Sequence, residues 1–183
     1  MIDNMNTSRL TLKSKKLFLL DMDGTLYLDD RLFDGASEFL SHIKKTGGRY
    51  VFLTNNSSKG RDSYIEKMQK LGIPARPEDF ITSVDALVYR LKDCYGKEAV
   101  TRKLYIMGTE SFKEQMRAEG FNVTDVLGDD VQVLVIGFDR ELTFSKLEDA
   151  CRLLGRGVDY FATNPDWVCP TEYGYVPDCG SFA

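Results

Sequence analysis

Leu17-Phe18-Leu19-Leu20-Asp21-Met22-Asp23-Gly24-Thr25-Leu26 runs from an apolar stretch into two carboxylates set two residues apart. An unbroken apolar run of this length, closed by a turn former, predicts a buried parallel β-strand. In open α/β sheets ligands bind outside the carboxyl ends of the strands, so a strand that stops at Asp21 delivers its acids to the place where chemistry is expected. Gly24 lets the backbone turn tightly. Side chains alternate along a strand, so Asp21 and Asp23 project to one side if the extended geometry persists past Met22. Two acids held that close repel unless a cation or a shared proton intervenes, which points to a divalent metal, a raised pKa on one acid, or both. Hard oxygen ligands favour magnesium. The plainer alternative is a turn, since Asp-Gly pairs are common at strand ends. The pattern Asp-x-Asp-Gly-Thr, or its Val variant, arises by chance in roughly one chain of this size in a few hundred.

Outward from this stretch, strand and helix signals alternate, which argues for βαβ construction and a parallel sheet. Ala36, Phe39, Leu40 and Ile43 fall at helical spacing over 36–45, and Gly47-Gly48 supplies a stop. Tyr50-Val51-Phe52-Leu53 predicts a second buried strand, ending at Thr54-Asn55-Asn56. Ser57 or Ser58 is placed to cap the next helix, whose stripe is Tyr64, Ile65, Met68 and Leu71, before Gly72 and Pro74 terminate it. Phe80-Ile81-Thr82 is a candidate third strand. Beyond Ser83 the alternation predicts helices over 84–95, 110–119 and 145–154, and strands over 103–107, 131–136 and 160–162. No glycine-rich phosphate loop supports a second nucleotide-binding domain.

The end of the second strand has its own chemistry. Thr54 offers a hydroxyl, Asn55 and Asn56 offer amides, and a following helix N-terminus offers unpaired N–H groups, which together would cradle an anion. An Asn-rich turn with a Ser cap explains the same residues equally well. Asn164-Pro165-Asp166-Trp167-Val168-Cys169-Pro170 reads, on composition, as a proline-punctuated surface loop. Tyr173 and Tyr175 are open to either a core or a substrate-stacking role.

Composition narrows the function classes. The 183 residues, 43% of them hydrophobic, suffice for a packed core. A formal charge of −4 and a pI near 5.1 argue against a nucleic-acid binder working through a basic surface. Lys13-Ser14-Lys15-Lys16 is short and reads as a solvated lead-in. The four cysteines, Cys94, Cys151, Cys169 and Cys179, show no CxxC spacing, and His42 is the single histidine, so no zinc site is indicated and reduced thiols fit best. The first sixteen residues contain no apolar signal-peptide core and no later window approaches a membrane span, which predicts a cytoplasmic protein.

The Asp-x-Asp-Gly-Thr stretch, with Tyr27-Leu28-Asp29, Thr54-Asn55-Asn56-Ser57-Ser58 and Ala162-Thr163-Asn164-Pro165-Asp166, resembles the haloacid dehalogenase superfamily, in its NagD-like, p-nitrophenyl-phosphatase-type branch. The likeness covers about residues 16 to 183. It implies an α/β fold: a Rossmann-like, doubly wound parallel-sheet core, incomplete here, with an inserted α/β cap. The expected organisation is a flexible lead-in over 1–16, half a core over 17–83, the cap over 84–177, and the start of a return to the core over 178–183. By resemblance the chain is a magnesium-dependent phosphatase in which Asp21 is the nucleophile, Asp23 the general acid/base, and both are metal ligands for Mg2+. Thr54, Asn55 and Asn56 bind the phosphate. Asn164, Asp166 and Cys169 belong to a cap loop that meets the leaving group. Some relatives carry a histidine at the Cys169 position, so a pyridoxal-phosphate preference does not carry over. The expected partner is a small phosphorylated metabolite such as a nucleoside monophosphate, phosphoglycolate or a sugar phosphate, with no nucleic acid or membrane, and with a homo-oligomer assembled through the cap. Family members carry a further Lys and an acidic pair on core segments after the cap, whereas this chain stops at Gly180-Ser181-Phe182-Ala183. The resemblance therefore reads the chain as a fragment that is a poor enzyme by itself, with the Asp21 strand left as a bare edge. The alternative from another class is a non-catalytic phospho-ligand binding or interaction module.

Overall fold

The computed structural model describes residues 14–183; of the expected lead-in, residues 1–13 lie outside the described residues. The chain folds as α/β around two parallel sheets. The first has the order β1-β4-β5, from β1 (Leu17–Asp21), β4 (Arg49–Thr54) and β5 (Phe80–Thr82). Its register pairs Asp21 with Leu53 and Thr54 with Thr82, so the strands end together. Two helices, α1 (Ala36–Lys45) and α2 (Arg61–Lys70), connect them. Leu40 and Ile43 of α1, Tyr64 and Met68 of α2, and Tyr50 and Phe52 of β4 share one apolar cluster with Met22 and Tyr27. Burying each of the larger side chains contributes roughly 1.5–3 kcal/mol, and the period-2 pattern of β4 puts Tyr50 and Phe52 on the helix-covered face.

That arrangement bears out the bare edge expected of the Asp21 strand and corrects the reading of its apolar run as a buried strand. Within the described residues β1 pairs only with β4, and Leu17 and Leu19 are 57% and 59% exposed. Phe18 and Leu20 pack on the apolar cluster, while Leu17, Leu19 and Asp21 alternate onto the opposite face, which no helix covers at that edge. An apolar run reports a strand that can be buried on both faces; it does not supply the second layer.

The second sheet has the order β7-β6-β8-β9, all parallel, from β6 (Lys103–Met107), β7 (Asn122–Thr124), β8 (Val133–Ile136) and β9 (Asp159–Ala162). Its central strands are covered on both faces. Leu104, Ile106, Val133 and Val135 meet α3 (Ser83–Tyr95) and α4 (Glu110–Ala118), whereas Tyr105, Met107, Leu134 and Ile136 meet α5 (Phe144–Gly155). The predicted elements of this half appear within one or two residues of their expected bounds, whereas in the first half the start of α2 is displaced. Ser57 and Ser58 do not cap α2, which begins after Gly60 with no side-chain cap. Their hydroxyls are taken elsewhere: Ser57 Oγ accepts from Phe138 N–H (2.9 Å) and meets Thr163 Oγ1 (2.9 Å), and Ser58 Oγ donates to Asn56 Oδ1 (2.7 Å).

Two small hairpins were not expected from the sequence. β2 (Tyr27–Leu28) and β3 (Arg31–Leu32) pair just after the acid turn, and β10 (Val168–Thr171) pairs with β11 (Gly174–Pro177). The second replaces the latter part of the expected surface loop with an antiparallel ribbon, and Tyr173 and Tyr175 on it are exposed rather than core.

Candidate active site

Asp21 is the last residue of β1 and is exposed, while Met22 turns into the core. Gly24, at φ +79°, closes the turn that follows: its N–H donates to Tyr27 O (2.8 Å), and Leu26 N–H donates to Met22 O (2.9 Å). Met22 is thus the pivot, and its burial fixes the acids on either side of it. Thr25 Oγ1 donates to Asp21 Oδ2 at 2.6 Å, which holds one carboxylate oxygen and orients the group.

Asp23 has different surroundings. Burial raises its pKa above the ordinary value, and the Asp21 charge adds to the rise; Lys67 and Lys59 oppose it. Lys67 Nζ, from α2, lies 3.8 Å from Asp23 Oδ1 and 3.9 Å from the centre of the Tyr27 ring. Burial in turn lowers the Lys67 pKa. Lys67 was not anticipated from the sequence; the signal available was its position three residues beyond Tyr64, on the face of α2 that turns toward the sheet.

At the end of β4 the neighbouring loop is tightly bonded. Thr54 is buried and its Oγ1 accepts from Asn56 N–H (3.2 Å). Asn56 Oδ1 accepts from Ser58 N–H (2.9 Å), and Tyr64 Oη donates to Asn56 O (3.1 Å). The helix N-terminus invoked for the anion cradle is farther off than expected, since α2 starts at Arg61 and Gly60 N–H donates to Ser111 Oγ (3.0 Å). The exposed side chain here is that of Asn55, whose Nδ2 donates to Asp166 Oδ2.

That contact joins the two distant motifs. Asn164 Nδ2 donates to Asn55 O (3.0 Å) and to Asp178 Oδ1 (3.2 Å), and Asp166 N–H donates to Asn164 Oδ1 (2.9 Å). Asn164 is buried at this junction, as is Asp178. Cys169 on β10 is half-buried, and burial, with the charges of Asp178 and Asp23, pushes its thiol up to about 11. The structure therefore brings Asn55, Asn164 and Asp166 into direct contact and sets Asp21 beside Asp23. It does not bond Thr54 or Asn56 to either acid among the described residues.

Among the described residues no three or more His, Cys, Asp and Glu side chains gather into a metal cage. Magnesium does not require one. It is commonly held by one or two carboxylates, retaining waters and taking substrate phosphate oxygens for the rest. Asp21 and Asp23 set two carboxylates, hard oxygen donors, on one turn, and that donor set fits a hard divalent cation.

Residues 18–122 match the family of haloacid dehalogenase-like hydrolases. The chain belongs to this family. Comparison of folds agrees: a 4-nitrophenylphosphatase from Thermotoga maritima superposes with a TM-score of 0.84 at 37% identity, covering 93% of this chain and 63% of that one. A glycerol phosphate phosphatase from Mycobacterium tuberculosis, solved in complex with calcium, superposes with a TM-score of 0.79 at 28% identity over 90% of this chain and 47% of that one. An acid sugar phosphatase from Staphylococcus haemolyticus is 30% identical over 170 residues, which are 93% of this chain and 62% of the relative. The chain thus spans less than two thirds of the length of these haloacid dehalogenase-like relatives. No helix among the described residues is long and apolar enough to cross a membrane.

Proposed function

We propose that this haloacid dehalogenase-like chain carries the nucleophile and the acid–base group of a phosphomonoesterase. The observation that supports this most is the asymmetry of the acid pair. Thr25 binds one oxygen of an exposed Asp21, while the adjacent Asp23 is more buried, and that burial raises its pKa above the ordinary value. Of two neighbouring carboxylates in different surroundings, the exposed one suits the nucleophile and the buried one the proton donor.

The free oxygen of Asp21 attacks phosphorus in line, forming the Asp21–phosphorus bond as the ester oxygen leaves, and Asp23 gives that oxygen its proton. Asp23 then takes a proton from water, whose oxygen attacks phosphorus, so that inorganic phosphate departs and Asp21 is restored. Mg2+, held by Asp21 and Asp23, supplies charge stabilisation for the phosphoryl oxygens when bound. Lys67 holds positive charge beside the same turn. Asn55 presents its amide side chain at the junction with Asp166, and Thr54 and Asn56 shape the loop that carries it; we assign these three to the phosphate side.

Residues 84–177 act as the cap over a core contributed by 17–83, with Asn164, Asp166 and Cys169 toward the leaving group. The substrate is a small phosphate monoester of the size of a sugar phosphate, glycerol phosphate, phosphoglycolate or nucleoside monophosphate, and the reaction belongs to the cytoplasm. In a full-length protein carrying this chain, Asp21→Asn should abolish metal-dependent hydrolysis of an aryl phosphate with the fold retained. Asp23→Asn should slow it by about 10²–10⁴, with the first step spared for a leaving group that needs no proton. Hydrolysis by Asp21→Asn at the parent rate would refute the assignment.

A further inference from the structure

In an open parallel sheet the crevice outside the carboxyl ends of the strands, where the strand order reverses, is the usual place for a ligand. The second sheet reverses between β6 and β8, since the chain leaves β6 toward β7 and returns to the other side of β6 for β8. What enters that crevice is a side chain of the protein itself, Ser57, from the loop that follows β4. Ser57 is buried, and its Oγ accepts from the N–H of Phe138, two residues beyond β8 (2.9 Å). The same oxygen lies 2.9 Å from Thr163 Oγ1, just past β9. A Cβ on Gly137 would lie 2.8 Å from Ser57 Oγ, so the hydroxyl sits directly against the backbone that leaves β8. The rest of the loop meets the same side of the molecule through its backbone. Asn55 O accepts from Ser83 Oγ (2.8 Å) and Asn164 Nδ2 (3.0 Å), Ser58 O accepts from Thr109 Oγ1 (2.9 Å), and Gly60 N–H donates to Ser111 Oγ (3.0 Å).

We propose that Ser57 is a positioning residue: by filling the reversal point of the second sheet, its hydroxyl sets where Asn55, two residues earlier, presents its amide to the phosphate. Removing the hydroxyl leaves the buried Phe138 N–H without that acceptor, and a buried donor without a partner is relieved by a shift of the loop or by entry of water. A shift of about 1 Å in a group that orients the reacting phosphate costs up to about 10²-fold. The inference rests on the phosphomonoesterase reading with Asn55 on the phosphate side, and its test separates the two.

The experiment is a double-mutant cycle in a full-length protein carrying this chain, reading competitive inhibition of aryl phosphate hydrolysis by inorganic phosphate with Mg2+ present. Thermal unfolding of each variant controls for folding. Asn55→Ala should raise the inhibition constant. Ser57→Ala should raise it by about three- to tenfold in the parent background and leave it unchanged in the Asn55→Ala background, because a residue that acts through Asn55 then has nothing to move. Ser111→Ala, which takes the acceptor from Gly60 N–H at the same boundary, should match the parent. If Ser57→Ala fails to fold, Thr163→Val, which removes the other hydroxyl at Ser57 Oγ and keeps the side-chain shape, carries the same cycle with a rise of about twofold. Additive effects with Asn55→Ala, an unchanged constant in the Ser57 or Thr163 variant, or an equal rise in Ser111→Ala overturns the positioning role while the phosphate site stands. A constant unchanged by Asn55→Ala overturns the phosphate-side assignment and the positioning role with it, and absence of Mg2+-dependent hydrolysis by the parent overturns the phosphomonoesterase reading itself.

Discussion

Asp21, Asp23 and Asp178 are one residue type in three settings, which differ in burial and in hydrogen-bond partners. Asp21 is exposed and bonded to Thr25, Asp23 is partly buried beside Lys67, and Asp178 is buried, accepting from Cys179 N–H (2.5 Å) and Asn164 Nδ2 (3.2 Å). Burial raises the Asp178 pKa above 3.8; the Cys179 N–H and the Asn164 amide oppose the rise, and the Asp166 charge adds to it. A carboxyl whose native pKa is raised binds protons more tightly in the fold than in the unfolded chain. Its contribution is full below about 3.8 and is lost as pH rises through the native value. Asp178→Asn should therefore gain stability relative to the parent as pH rises from 4 to 7, by about 1.4 kcal/mol for each unit by which the native pKa exceeds the unfolded one. Urea unfolding of both proteins across that range checks it; a constant difference with pH would refute it. The acid pair itself was legible because two carboxylates at a strand end before Gly24 are a local pattern. Lys67 was not, since its approach to Asp23 depends on how α2 packs.

Among the elements, the segment from Asn164 to Gly180 shows why close backbone contact matters. Gly180 N–H donates to Asp166 O (2.8 Å), and a Cβ on Gly180 would lie 2.2 Å from Pro165 O and 2.5 Å from Pro165 C. Backbone atoms cannot swing away as a side chain can. Gly180→Ala should cost about 1–3 kcal/mol and loosen the Asn55–Asp166 contact, whereas Gly155→Ala, with nothing within 4 Å of the added carbon, should be near neutral or slightly stabilising. Urea midpoints of the two variants decide this, and equal midpoints would contradict it. Helical and strand periodicity sufficed for α1 and β6, whose bounds match the sequence reading. The β10–β11 ribbon escaped because Pro165 and Pro170 read as loop punctuation, although at the edge of a two-stranded ribbon a proline such as Pro170 is tolerated. The start of α2 escaped because Ser57 and Ser58 are committed to partners distant in sequence, Phe138 and Thr163 among them, or to their own loop.

For the whole molecule the two sheets differ in cover. The second has helices on both faces, so its central strands keep Leu104, Tyr105, Val133 and Leu134 almost entirely from water. The first leaves Leu17, Leu19 and the open side of β1 exposed, and unpaired strand edges with apolar side chains promote association. The 183-residue chain should self-associate as its concentration rises, and Leu19→Lys should suppress this without lowering the thermal midpoint by more than about 0.5 kcal/mol equivalent. Light scattering measures it; a parent chain that stays monomeric throughout would contradict it. The central claim concerns bond formation at one atom group, Asp21. The most direct measurement is single-turnover reaction of a full-length protein carrying this chain with Mg2+ and a reactive aryl phosphate, followed by borohydride reduction, which converts an aspartyl phosphate to homoserine, and mass mapping of the peptide bearing residue 21. The account predicts homoserine at position 21 in the parent and none in Asp21→Asn; an unlabelled position 21, or label on another residue, would contradict it.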